Sequence, residues 1–485
     1  MKFSSSAFIA ASLAVATTST VASLAEPASH LFGRDGAQPG IHKDMLARMV
    51  QARSGSHDLT HKHDKRGGCI LGTDHLRPRD VDEATLKKRQ ATLPAVSGNG
   101  QKYPTPGEVP PPSSLPQAWV DAYNKAKKAG QIPDIPASKE TPDGLIAYPK
   151  GTDMKAVCSW TLSKCNDGDI WQAPQGTLAF GFDDGPTPNG TPPLIDLIKK
   201  ENIATTHFLI GSAIAWAPDV MSQLAAVDSA HLGIHTWSHT LQSTKSDLEI
   251  LGDLGWTQQI IYDLTGKVPA YFRPPEGDAD ARVRAIARVL GMQTVLWTKD
   301  ADDWCLRQGH GTATSIQSCV QSAPDLETVT KEQVSWVSGS KNDGVITLEH
   351  ETTDQAIKAA GSLVNAAQKN KQYKIVGAIP DLWGLPWYSN QFAQGDKPTK
   401  PKDILPTHSF VNVTDGGAGS AQYDLGDWKS ATSTGTAKAG ATSSASKGNS
   451  NSATTSGSSS GASATATASF TVLLGAAALA ASLAL

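Results

Sequence analysis

Net charge is almost absent from this chain: 43 Lys and Arg stand against 46 Asp and Glu over 485 residues, a formal charge of -3. No basic patch with interleaved aromatics breaks that balance, which excludes nucleic acid as a partner. Cysteine is scarce. Five are present (Cys69, Cys158, Cys165, Cys305 and Cys319), a usage that fits an oxidising compartment. A long apolar run is missing near the N-terminus, where Phe8 to Val21 is too short and too rich in threonine for a membrane span. Hydrophobic periodicity is weak from Glu26 to about residue 95, and large side chains nearly vanish after about Ser430. Length alone suggests about three domains, but these gaps leave one core over roughly 150–395, the size of a single α/β barrel.

The ends have their own signatures. Met1-Lys2, the apolar Phe8–Val21 region and the small-x-small pattern Ser23-Leu24-Ala25 make residues 1–25 a secretory signal peptide. Lys65-Arg66 and Lys87-Lys88-Arg89 are dibasic, so 26–95 reads as a removable pro-segment or as a basic exposed loop. Residues 96–150 form a proline-rich connector, semi-rigid where Pro104 to Pro116 crowd together. The main domain spans 151–395 and a linker 396–429. Residues 430–469 are a Ser/Thr-rich stalk that cannot bury a core. The uncharged tail 470–485, with small residues at Ser456-Gly457-Ser458, fits a glycosylphosphatidylinositol signal; a single membrane span is the weaker alternative. Asn189 and Asn412 open glycosylation sequons. Cys158 with Cys165 and Cys305 with Cys319 are candidate local bridges, although spacing does not settle pairing.

The domain is organised around Phe182-Asp183-Asp184-Gly185-Pro186. An apolar run, Leu178 to Phe182, reads as a buried strand, and Gly185-Pro186 ends it in a turn. Adjacent carboxylates at a buried strand end are costly without a cation; alone they read equally well as a cap for the helix starting near Pro192. His235-Thr236-Trp237-Ser238-His239 shifts that balance. On a helical turn, this spacing puts both imidazoles on one face, where they can grip a metal. One Asp would supply a third ligand, and the other would stay available to take a proton from water. An isolated His207 in the next strand reads as structural.

Strands and helices then alternate: strands at Ala204–Ile210, Leu232–Ile234, Gln293–Trp297 and Val345–Leu348, helices at Pro192–Lys200, Trp216–Val227, Ser246–Leu264, Ala279–Leu290 and Gln355–Asn370. This favours a parallel sheet closed, or nearly closed, into a barrel, with chemistry at the strands' C-terminal ends. Further motifs fall at such ends. Arg273, after Tyr271-Phe272 and before two prolines, can pair with the non-ligating Asp and keep it ionised. Asp300-Ala301-Asp302-Asp303-Trp304 offers a carboxylate to orient a histidine and an aromatic wall. Leu348-Glu349-His350 puts a histidine where a general acid is wanted.

In this order, the motifs resemble the polysaccharide deacetylase family (NodB-homology, carbohydrate esterase family four), most closely its fungal chitin deacetylases, over about 175–385. The resemblance implies a distorted (β/α) barrel of NodB type and a catalytic role for 151–395. It implies Asp183 as general base and substrate contact, and Asp184, His235 and His239 as ligands of a divalent metal, zinc first and cobalt second. Arg273 would tune the base and Asp300 would orient His350, the acid that protonates the leaving amine. Trp304 and Leu348 would enclose the acetyl methyl group. The expected partner is chitin, or partly deacetylated chitin, met by a monomer held at the cell wall and the outer leaflet of the plasma membrane by a lipid anchor. One departure stands out: the family's usual Tyr after Arg-Pro-Pro is Glu276 here. The family uses that residue's backbone N–H as an oxyanion donor, so the swap bears on the neighbouring sugar, where a carboxylate would favour a glucosaminium. Rival expectations are a catalytically weak chitin-binding wall protein and a deacetylase of acetylxylan or peptidoglycan.

Overall fold

A computed structural model describes residues 81–96, 102–141, 145–300, 303–306, 325–340, 342–406 and the strand pair Phe410–Thr414/Gly419–Tyr423. The signal peptide, most of the pro-segment, the stalk and the anchor signal lie outside the described residues. No described helix is long and apolar enough to cross a membrane.

Parallel pairing dominates. The main sheet contains β1 (Thr177–Ala179), β2 (Gly181–Gly185), β3 (Thr205–Leu209), β4 (Ala230–Ile234), β5 (Tyr271–Phe272), β6 (Gln293–Thr294), β7 (Lys299–Asp300), β8 (Val345–His350) and β9 (Ile375–Gly377). β8 pairs with β1 and β2, and the order then runs β2-β3-β4-β5-β6. Residues 293–300 connect both edges of this ring: β6 pairs with β5, whereas Thr298 N donates to Ile346 O and β7 pairs with β8. The result is a distorted barrel, with β9 outside against β1. The expected strand at 293–297 is split: Gln293 and Thr294 pair in register with β5, and Val295, whose N–H still donates to the Phe272 carbonyl, bridges Ile170 on its other side.

The period of two along each strand sorts side chains into layers. Phe182, Leu209, Leu232, Ile234 and Phe272 face outward into the main core, under helices α3 (Thr191–Glu201), α4 (Gly211–Trp216), α5 (Pro218–Ala225), α6 (Asp247–Thr265), α7 (Ala281–Val289), α8 (Leu326–Val337) and α9 (Asp354–Lys369). Ala179, Phe208, Tyr271, Val295, Ile346 and Leu348 fill the barrel interior. Local chemistry sets the helix limits. α3 begins with Pro in its first turn, and α6 opens on a capping box, Ser246 with Glu249, and stops at Gly266 with φ 71°.

The end of the expected pro-segment and the connector both pack against this core. α1 (Glu83–Gln90) buries Leu86 against Ile210, Ala213 and Trp216. α2 (Gln117–Lys128) lays Trp119 against Trp256, with ring centroids 5.3 Å apart. Leu115, Trp119, Tyr123 and Ile132 all join the main core.

Candidate metal centre and active site

Inward-facing positions at the strand ends carry Asp183, His235, Arg273 and His350, and all four are buried. Regular alternation would send Asp184 to the other face. Instead Asp184 takes φ 73° and the β2–β3 register shifts between Asp183 and Gly185, so both carboxylates serve the site. The two differ in partner. Arg273 Nη1 donates to Asp183 Oδ1 at 2.8 Å, while its guanidinium carbon lies 4.3 Å from the Phe208 ring centroid. Gly181 makes that approach available: a Cβ there would sit 2.7 Å from Arg273 Nη2.

The His235–His239 segment is not the helical turn expected from its spacing. It is a loop following β4, with Thr236 at φ 67° and His239 at φ 51°. Helical spacing and this loop both bring residues four apart together, so the pattern alone cannot separate them. The loop is held by local and remote bonds. His239 N donates to Thr236 Oγ1 at 2.9 Å, and the buried Asp253 of α6 accepts from Ser238 N and Ser238 Oγ, each at 2.9 Å.

Asp184, His235 and His239 offer ligand atoms that all lie within 4.8 Å of one another. His235 Nδ1 is 2.7 Å from the Arg273 carbonyl, an atom that can only accept. The ring proton therefore sits on Nδ1, and Nε2 turns its lone pair toward Asp184. Nε2 of His235 is 3.4 Å and Nε2 of His239 3.1 Å from Asp184 Oδ1. Acceptors facing one another at this range repel unless a cation or proton lies between them. Ligand atoms placed tetrahedrally around zinc at ordinary bond lengths are about 3.3 Å apart. The donor set fits a divalent ion.

His350 closes the other side. Asp303 orients it, not Asp300: Asp303 Oδ1 is 2.6 Å from His350 Nδ1, and Oδ2 accepts from His350 N at 2.9 Å. Asp300 lies in β7, paired in register with Leu348, whereas the turn Asp303–Cys305 folds back over the end of β8. Burial alone would push the His350 imidazole down. The Asp303 carboxylate, with the charges of Asp184 and Asp183 beyond it, overrides this and raises it from 6.5 to about 10.

Trp304 lies half-exposed in the same turn as Asp303, and Leu348 is buried among the interior residues. Glu276 is half-buried in the short helix Pro275–Gly277, at φ 55°. Cys158 and Cys165 form a disulfide; Cys319, and with it a bridge to Cys305, lies outside the described residues, as do Ser456, Gly457 and Ser458. Asn189 is exposed before α3, and Asn412 falls in the strand Phe410–Thr414.

Sequence reasoning missed some contributors. Asp303 was hidden among neighbouring acids. Glu351 follows His350 directly, yet its side chain is sealed on the outer face, bound to His207 Nδ1 at 3.1 Å and to Thr191 Oγ1 at 2.8 Å. Its backbone N–H donates to the Asp183 carbonyl at 3.0 Å, tying the two strand ends together. Asp253, more than a dozen residues from the histidines it steadies, left no local signal.

Known proteins resemble this chain to different extents. Residues 172–295 match the family described as Polysaccharide deacetylase. Chitin deacetylase 3 of Cryptococcus neoformans var. neoformans is 33% identical over 349 residues, covering 70% of this chain and 78% of the relative. Chitin deacetylase 1 of Cryptococcus neoformans var. grubii is 32% identical over 310 residues, covering 59% and 60%. Among solved structures, the chitin deacetylase of Colletotrichum lindemuthianum is 21% identical, covering 48% of this chain and 94% of its own, with a TM-score of 0.38.

Proposed function

The chain belongs to the polysaccharide deacetylase family, and from that premise we propose that it hydrolyses N-acetyl groups of N-acetylglucosamine units in chitin, releasing acetate and leaving chitosan. The reading is carried by one observation. Asp184, His235 and His239 converge while Asp183 is anchored by Arg273 with its other oxygen 3.7 Å from His235 Nε2, so a ligand set and a base stand side by side and only the base is tied to the guanidinium. Asp184, His235 and His239 would hold a divalent cation, zinc in preference to cobalt, which would supply Lewis acidity to the acetamide carbonyl and to water. Asp183 accepts the water proton, and Arg273 fixes the carboxylate that receives it. The backbone N–H of Glu276 donates to the oxygen that gains charge. His350, kept protonated by Asp303, delivers its proton to the departing nitrogen as the C–N bond breaks. The water oxygen ends in acetate and the nitrogen in a free amine.

The Glu276 carboxylate gives a preference for a glucosaminium in the adjacent subsite, hence for partly deacetylated polymer. Glu276→Tyr then raises activity on fully acetylated oligomers relative to partly deacetylated ones; an unchanged ratio discards this preference. The signal peptide and terminal anchor signal support a secreted protein, lipid-anchored at the cell surface. Acetate release from chitin oligomers of defined length tests the whole reading. Activity should vanish on chelation and return with zinc. Turnover on acetylxylan or peptidoglycan alone would move the substrate, and binding without turnover would reduce the protein to a wall-binding one.

A further inference from the structure

Trp237 stands between His235 and His239 and is fully buried. Its ring fills the space beside Gly211, where an added Cβ would come within 2.3 Å of the indole. The Tyr103 ring stacks on it, with centroids 6.2 Å apart and planes inclined at 12°. Trp237 Nε1 donates to the Thr105 carbonyl at 3.2 Å. The Trp237 carbonyl accepts from Ser212 Oγ at 2.6 Å, and that Oγ accepts from Gly107 N at 2.8 Å. Tyr103 OH then donates to Asp263 Oδ2 of α6 at 2.6 Å. One short stretch of the connector thus grips both the ring and, through Ser212, the backbone of the residue between two candidate ligands.

Such a grip answers a local cost. Thr236 and His239 both sit at positive φ without being glycine. Each conformation costs on the order of 1–3 kcal/mol and persists only where surrounding contacts over-determine it. We propose that Tyr103–Gly107 is a positioning strap for the metal centre, acting on His235 and His239 through Trp237 and Ser212. This rests on reading Asp184, His235 and His239 as metal ligands. The strap precedes residues 172–295, the stretch that the family description matches. It also follows both dibasic sites, Lys65-Arg66 and Lys87-Lys88-Arg89, so cleavage at either would leave it in place.

The test uses the full chain and reads metal rather than turnover: zinc affinity by chelator competition, and the visible absorption of the cobalt-loaded protein. Tyr103→Ala and Ser212→Ala should each weaken zinc binding about 10- to 100-fold, the range seen when the support of metal ligands is removed, and should alter the cobalt spectrum. Tyr103→Phe keeps the stacked ring and should stay within about twofold of the unaltered chain, as ring support requires. Tyr123→Leu removes another connector aromatic, whose hydroxyl bonds to Asp247 instead. It should lower Tm and leave zinc affinity alone. If Tyr103→Ala does not fold, Ser212→Ala carries the test. Unchanged affinity in Tyr103→Ala or Ser212→Ala, or an equal loss in Tyr123→Leu, overturns the strap alone. Failure of the unaltered chain to bind either ion overturns the metal-site reading and the strap with it.

Discussion

Two histidine–carboxylate pairs sit on opposite faces of the barrel wall. His350 with Asp303 faces the mouth, and His207 with Glu351 faces the helices. The inner pair keeps 10% of the histidine side chain open, whereas the outer pair is sealed at 0% for both members. In the outer pair the second ring nitrogen is taken up as well, 2.9 Å from Thr205 Oγ1. A carboxylate, an imidazole and a hydroxyl in a row have the chemistry of a catalytic relay. Without access, that row only fastens strands together. Access decides function, and strand alternation decides access.

The largest effects should separate the two pairs. His350→Ala should lower kcat about 10²- to 10⁴-fold, the usual worth of a positioned proton donor. Asp303→Asn should act through the charge on His350. The imidazole donates only when protonated, and the Asp303 carboxylate against Nδ1 favours that protonated form. Its loss should therefore move the alkaline limb of the kcat profile to lower pH. The same pair stabilises the fold: because the folded value lies above 6.5, its contribution is complete below pH 6.5 and fades as pH rises through about 10. An alkaline limb that does not move in Asp303→Asn would return the orienting role to another residue.

Gly181→Ala comes next. The new Cβ meets the Arg273 guanidinium, so Arg273 must leave Asp183 or the strand must shift. A loss of roughly tenfold or more in kcat is expected from a displaced catalytic group, with little change in KM. For the outer pair, His207→Phe should leave turnover per folded molecule within about threefold, consistent with a role away from the reacting atoms, yet cost about 1–3 kcal/mol because Glu351 loses a buried partner. Equal losses of turnover in His207→Phe and His350→Ala would erase the contrast between the faces.

The smallest effect concerns Asp278, buried in the turn after Arg273. Burial pushes its carboxyl up from 3.8 to about 7, against the hydrogen bonds from Ser243 and with help from Asp280 and Glu276. A raised folded value makes its stabilising contribution complete below pH 3.8 and lost as pH rises through about 7. Asp278→Asn should flatten the dependence of Tm on pH across that window by a few degrees, as linkage for a single group in a domain this size requires.

Much of the site was legible because chemistry falls at strand ends, and those ends are punctuated. An apolar run leads to Asp183 and Gly185-Pro186 follows; Tyr271-Phe272 leads to Arg273 and two prolines follow. Boundaries of the long helices came through for the same reason, as with Ser246 and Gly266 around α6. What stayed hidden depended on backbone angles and remote partners. Positive φ at Asp184, Thr236 and His239 carries no glycine to announce it, so the loop read as a helical turn. Three acids within four residues made Asp300 and Asp303 interchangeable until the turn at 303–305 separated them. Barrel closure depends on 293–300, whose pairing changes partner midway and leaves no continuous apolar pattern. The connector held its own clue, Tyr103 and Trp119 among prolines, but composition pointed to a spacer.

The most direct test compares zinc binding in Asp183→Asn and Asp184→Asn, measured by chelator competition with acetate release followed in parallel. Asp183→Asn should bind one zinc nearly as tightly as the unaltered chain while losing at least about 10² in turnover, and Asp184→Asn should lose both. Zinc lost with Asp183 and kept without Asp184 would contradict the division of labour between the two carboxylates.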